Sequence, residues 1–263
     1  MPVPLAPATA SRPQSKALRS YLKGQQWQSK WNSYYSRVRI VCTSSVVTGT
    51  LESYVVAAGT EVTGFGYGRG QDMAAGGLAG TIATPADTNI VTANQTISGE
   101  AIEIAGLGCI VLGQSDASLL KQLDQCISIK IKTNGTMDYL MGIPSMVPSP
   151  GGLFGSSEAA SVAPSLPDQV SRNIGQMGNG IPYISNYFPL PEPMMWVSAG
   201  KGDSTFNVIL KVERQAATPA QYGSTARVAG AGVAPYTPPL FGAVFVDYMI
   251  VVVGRTINPL SEN

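Results

Sequence analysis

Seven basic residues stand in the first forty positions: Arg12, Lys16, Arg19, Lys23, Lys30, Arg37 and Arg39. No acid lies among them. Trp27, Trp31, Tyr34 and Tyr35 are interleaved with them. Cations alternating with aromatic rings suit phosphate contact and base stacking, or a seat on an anionic membrane surface. The net charge is only +1, because all 16 acids follow this stretch. A basic segment therefore precedes a mildly acidic body, a division that points to an anionic partner.

Other chemistry is thin. The chain has no histidine, which removes the commonest general base and metal ligand and any Ser–His–Asp or Cys–His pair. Gly64-Phe-Gly-Tyr-Gly-Arg-Gly70 has the glycines of a phosphate loop but not the GxGxxG spacing. Gly200-Lys201 lacks the rest of a P-loop, and no GxSxG occurs. Cys42, Cys109 and Cys126 are odd in number and show no CxxC spacing. They predict free thiols and no zinc site. The carboxylates are scattered, with no pair set in a sugar-binding motif. Asp247 stands out because its neighbours are apolar. It is expected to pair with Lys or Arg of an adjacent strand or subunit. No catalytic residue, metal or cofactor is assigned. Met1-Pro-Val-Pro-Leu-Ala-Pro is too short and Pro-broken for a leader, so Asn94-Gln-Thr and Asn134-Gly-Thr read as chance sequons.

The elements that would carry these residues are strands. Phe241–Gly254 is β-branched and aromatic on both alternating faces, so it belongs inside a sheet or at an interface. A membrane helix would need about 20 apolar residues and no central Asp. Thr205–Arg214 alternates, with Phe206, Val208, Leu210 and Val212 on one side. Cys126–Lys132 alternates as well, and Thr133-Asn-Gly135 predicts a turn back through Met137–Met141. Val38–Val47, Ser53–Ala57, Glu61–Gly66, Ile90–Thr92, Thr96–Ile104, Cys109–Leu112 and Met194–Val197 read as further strands. Residues 182–187 carry a weaker strand signal. Asp116 reads as the N-cap of a short helix over Ala117–Asp124. Residues 1–13 read as extended and 14–37 as a helix, from Leu18/Leu22 and Trp27/Trp31 four apart, weakened at Gly24 by about 1 kcal/mol. Residues 64–87 and 215–240 read as Gly/Ala/Pro loops, and 142–193 as a surface insertion. Strands that do not alternate with helices predict an all-β fold of two packed antiparallel sheets.

Charged residues make up 13% of the chain, and there are 29 Gly and 19 Pro. So little charge suggests a surface largely covered by partners. The layout resembles the jelly-roll capsid proteins of icosahedral viruses and bacteriophages. It has an acid-free, Pro-rich basic arm and long Gly/Pro/Ala loops between strands. Glu192-Pro-Met-Met-Trp-Val197 leads into Thr205–Arg214, and Gly242–Val253 closes the chain before a tail, Arg255–Asn263. The resemblance implies an eight-stranded jelly roll over 38–263 preceded by an arm, 1–37. It also implies self-assembly into a shell in the host cytoplasm alongside other virion proteins. Arg12, Lys16, Arg19, Lys23, Lys30, Arg37 and Arg39 would contact packaged nucleic acid or an internal membrane. Trp27, Trp31, Tyr34 and Tyr35 would anchor the arm. The alternative is a β-sandwich that binds a receptor or carbohydrate, as a spike or fibre component, through exposed Tyr183, Tyr187 and Phe188.

Overall fold

The computed structural model describes residues 27–42, 44–48, 51–95, 100–112, 115–133, 137–142, 147, 173–174, 187–197, 205–217, 221–222 and 245–259. Its strands are β1 (Trp27–Val41), β2 (Ser44–Thr48), β3 (Leu51–Val56), β4 (Glu61–Gly64), β5 (Asp72–Met73), β6 (Leu78–Ile82), β7 (Ala101–Val111) and β8 (Ser115–Asp116). They continue as β9 (Ile127–Thr133), β10 (Met137–Gly142), β11 (Asn173–Ile174), β12 (Phe188–Val197), β13 (Phe206–Val212), β14 (Ala216–Ala217), β15 (Gln221–Tyr222) and β16 (Phe245–Pro259). One helix, α1 (Ala117–Asp124), and a 3-10 turn at Ala74–Gly76 complete the described elements. The fold is mostly β, in antiparallel sheets, as the alternation patterns require.

Two four-stranded sheets hold the core. One runs β1-β16-β7-β12 and the other β10-β9-β13-β4. Every pairing within them is antiparallel. One continuous apolar cluster joins their facing sides. It takes Tyr34, Val38 and Ile40 from β1, and Val246, Tyr248, Ile250 and Val252 from β16. From the opposing sheet come Ile127, Ile129 and Ile131 of β9 and the alternate residues of β13. Trp196 of β12 meets Phe206 of β13 across the layer, with ring centroids 5.0 Å apart. Phe65 packs against both. The Trp196 indole N–H donates to the Asn94 carbonyl at 3.1 Å, so this large buried ring leaves no polar atom unmet.

β16 bears out the expectation of burial on both faces. Its inward residues are sealed in the core. Outward, Asp247 is buried too, and so are Val251 and Val253. Gly254 sits at the irregularity between β16 and β7, where a Cβ would fall 2.5 Å from the Glu103 carbonyl oxygen. Only glycine permits that approach.

Several expectations need correction. Trp27–Arg37 is strand, not helix: β1 is continuous from Trp27 to Val41. A spacing of four residues repeats on one side of a helix and also on one face of a strand, so Trp27 and Trp31 did not discriminate. Tyr34, Ser36, Val38 and Ile40 then alternate inward as a strand demands. A boundary at 37 would cut this strand in two. The last strand continues beyond Gly254 through Arg255-Thr-Ile-Asn-Pro259, the segment expected to be a tail, while residues 241–244 lie outside the described residues. It extends because β1 pairs with it to the end, Trp27 opposite Pro259. Ala101–Ile104 and Cys109–Val111 lie in one longer strand, β7, and residues 96–99 lie outside the described residues. Asp116 lies in β8, immediately before α1. The 64–87 stretch contains a small β5–β6 pair. The Asn134–Gly135 turn, residues 182–186, the 218–220 and 223–240 parts of the last loop and most of 142–193 lie outside the described residues. The cysteines are free, as expected, and burial pushes the Cys109 thiol up to about 12.

Phe206 is fully buried and packs against Trp196 of the opposing sheet and Phe65 just past β4. Phe206→Ala is expected to lower unfolding free energy by about 3–5 kcal/mol, measured by denaturant titration.

Candidate functional site

β1 and β16 place three charged side chains together on the outward face of their sheet. Arg39 lies directly opposite Asp247 in the ladder, and Arg37 one step along. Arg39 donates from Nε to Asp247 Oδ1 at 2.6 Å and from Nη2 to Oδ2 at 2.7 Å. Arg37 Nη2 donates to Oδ2 at 2.5 Å. Its Nη1 reaches Asp87 Oδ1 at 3.2 Å. The Arg39 guanidinium also stacks on Phe245, 3.7 Å from the ring centroid. Asp247 is 1% exposed while both arginines keep some solvent contact. A buried carboxylate tolerates that position because charge-assisted bonds occupy it on both oxygens.

Asp87 belongs to a segment that seals the free edge of β1. The Tyr35 amide donates to Asn89 Oδ1, and Asn89 Nδ2 donates to the Ser33 carbonyl. Thr88 Oγ1 donates to the Tyr35 carbonyl, and the Arg37 amide donates to the Asp87 carbonyl. The Tyr67 hydroxyl donates to the Arg37 carbonyl. Asn32 Oδ1 accepts from the Ser33 amide. Every outward backbone group from Ser33 to Arg37 thus has a partner, as an edge strand needs. Gly77 (φ +82°) lets the chain pass so near β1 that a Cβ there would lie 2.1 Å from the Arg39 carbonyl oxygen. Burial pushes the Tyr67 phenol up to about 12. Burial alone would raise the Asp87 carboxyl, but the Thr84 hydroxyl and amide and the Arg37 guanidinium outweigh it. The group is held below its ordinary value.

Beside this clamp the same face is apolar. Tyr187, Val251 and Val253 pack together, with Tyr35, Ile110 and Met249 against them. Gly106 makes room, since a Cβ there would meet that of Tyr187 at 2.9 Å. An open hollow of about 340 Å³ lies among Ser33, Tyr35, Ala86, Ile110, Tyr187, Met249 and Val251. Among the described residues no group of three or more His, Cys, Asp or Glu gathers to hold a metal ion. Nor is any described helix long and apolar enough to cross a membrane.

The sequence-predicted residues fall into different places. Arg12, Lys16, Arg19, Lys23 and Tyr183 lie outside the described residues, as does the side chain of Trp27. Lys30 is exposed at the start of β1. Arg37 and Arg39 are paired with Asp247 and Asp87 in an internal clamp, and both keep some solvent contact. Tyr34 is buried in the core and shares a 2.9 Å hydrogen bond with Thr256 Oγ1. Tyr35 is half-buried on the outward face, its hydroxyl donating to the Pro85 carbonyl. Trp31 is 49% exposed, and the Arg255 guanidinium is 5.5 Å from its ring centroid. Tyr187 is buried and Phe188 is packed against the core, so neither is the exposed aromatic expected of a carbohydrate site. Sequence reading missed Asp87, Asn89 and Arg255. The Thr84-Pro-Ala-Asp87 stretch signals a turn but not its partner fifty residues away.

No protein family, curated protein or solved structure matches this chain.

Two outcomes follow from the clamp. Asp247→Asn leaves two guanidiniums around a neutral amide and is expected to cost about 3 kcal/mol of stability, read by denaturant titration. Asp87, with its folded value depressed, adds stability that is fully present above the unfolded carboxylate value near 4. That contribution is lost as pH falls through the lower folded value. Stability of Asp87→Asn is therefore expected to vary less than that of the parent across this acid window, measured by unfolding at stepped pH.

Proposed function

We propose that this chain is a structural shell protein of an icosahedral virus or phage, an eight-stranded jelly roll whose copies cover one another. The observation that carries the reading is the pairing order. Taken in chain order, the strands of the two core sheets are β1, β4, β7, β9, β10, β12, β13 and β16. First pairs with last, β4 with β13, β7 with β12, and β9 with β10. These pairs are the rungs of one long hairpin, taken alternately into the two sheets. The β16–β7 and β13–β9 ladders then join the pairs within each sheet. A hairpin rolled in this way gives the double-sheet jelly roll, with its two Greek keys.

The surface supports the function. A subunit enclosed by its own kind needs little charge, and this chain has 13%. Its outward sheet face is apolar beside β16. Five of the seven early cations, Arg12, Lys16, Arg19, Lys23 and Lys30, remain as candidates for packaged nucleic acid or an internal membrane. On this reading the chain is located in the virion, assembled in the host cytoplasm with other virion proteins. It is not an enzyme and uses no cofactor. A receptor- or carbohydrate-binding module is less favoured because Tyr187 and Phe188 are packed.

Negative-stain microscopy of the purified protein, alone and with nucleic acid, tests the proposal. Uniform closed particles are expected. A monodisperse species that never assembles at high concentration overturns it. Deleting residues 1–26 is expected to preserve the β circular-dichroism signal and weaken salt-sensitive association with nucleic acid. Deleting 1–37 removes most of β1 and is expected to unfold the body.

A further inference from the structure

The sealing of β1's edge stops at Ser33. In the unbroken β1–β16 register, odd-numbered residues of β1 turn their amide and carbonyl away from β16. From Ser33 to Arg37 those groups are met by the 84–90 segment, Tyr67 and Asn32. At Ser29 and Trp31, among the described residues, nothing meets them, and both residues are exposed. Among the described residues the sheet therefore shows a short open window at Ser29 and Trp31, reaching back to the start of β1 at Trp27.

The far edge of the same sheet differs. β12 carries Pro189, Pro191 and Pro193 and breaks register with β7 between Pro189 and Met194. Proline has no amide hydrogen, so this edge resists a further strand. A head-to-tail chain of sheets, one copy's β1 against the next copy's β12, is thereby blocked. An isologous pairing, the same edge on both copies, remains.

We propose that the Trp27–Asn32 edge of β1 is an interaction surface for a second copy of this chain, adding antiparallel to its own counterpart about a twofold axis at Ser29. Three outward positions, 27, 29 and 31, lie in the window, and Ser29 is the centre that uses all of them. This register sets Trp27 opposite Trp31 of the second copy and Gln28 opposite Lys30. No two like charges face each other across the new ladder. The two Ser29 residues exchange both of their backbone hydrogen bonds, with Cα atoms about 5.5 Å apart. The β16-β1 ribbon of each copy then continues into that of the other. The occupant is another copy because the window is self-complementary about its centre and the alternative edge is closed.

The test uses the full chain in sedimentation velocity over a concentration series. The parent is expected to dimerise or to assemble through dimers. Ser29→Pro removes the outward amide while leaving the ladder to β16 intact, and is expected to weaken dimerisation about tenfold or more. Trp31→Lys places a charge on the exposed edge and is expected to act in the same direction. Both should keep the parent's circular dichroism and unfolding midpoint. Ser29→Cys is expected to give, on oxidation, a dimer linked Cys-to-Cys at position 29 by peptide mapping, a spacing a disulfide accepts. The parent, with its native cysteines, should give none. A monomeric parent overturns the proposal. So does a dimer unaffected by both edge substitutions, or an edge-dependent association with a foreign strand and not with itself. The shell reading is judged separately. Edge-dependent dimers without particles leave this surface standing, and particles indifferent to both variants remove it while leaving the shell.

Discussion

Fifteen residues of β1 lie in unbroken antiparallel register with the fifteen of β16, and most of the architecture answers to that ladder. Because β16 pairs with β7 on its other side, it has no free edge, and both its faces must be covered. Its inward residues fill the space between the sheets. Its outward ones are met by Tyr187, by Tyr35 and by the two arginines. Removing the β1 side would leave β16 at an edge with Tyr248 and Ile250 less enclosed. The aromatic group of Trp196, Phe206 and Phe65 would also lose Tyr34 from its rim.

The charges on this sheet serve the same ladder. A carboxylate inside an apolar strand is tolerable only when its oxygens are occupied, and Arg37 and Arg39 occupy them from the neighbouring strand. Arg37 then ties in Asp87, and with it the segment that closes the β1 edge. Backbone pairing, ion pairing and edge protection are thus one connected arrangement. Its dependence on acid rests on Asp87, held below its ordinary value, and not on histidine, which the chain lacks.

Much of this could be read from residue order where the signal was local. The two-faced apolar character of the last strand, the alternation of Phe206–Val212 and Ile127–Ile131, and the short helix at Ala117–Asp124 each reside in a few neighbouring residues. Asp247's need for a cationic partner was also legible, because burying a lone charge is costly wherever it occurs. What failed was either degenerate or remote. Trp27 and Trp31 fit both periodicities, so residue order alone does not separate helix from strand over Trp27–Arg37. Arg255–Pro259 follows a glycine and mixes a cation, an amide and a proline with Thr256 and Ile257, and is strand because Trp27–Trp31 lies opposite. The Asn89 and Thr88 contacts with β1 join side chains to a backbone more than fifty positions away, and no local pattern encodes them. The order of strands in the sheets is equally non-local.

The ladder between first and last strands also governs how the molecule comes into being. Tyr34 and Thr256, hydrogen-bonded neighbours, are 222 positions apart in the chain. A ribosome releases β1 long before it makes its partner, and closing so large a loop is slow. Until the C-terminal segment emerges, the nascent body exposes the inward faces of β1 and β7 and cannot complete its interior. Synthesis through β16 is therefore a precondition of the native state. Chains that stop early would present sticky half-sheets to the cell instead of a smaller folded unit.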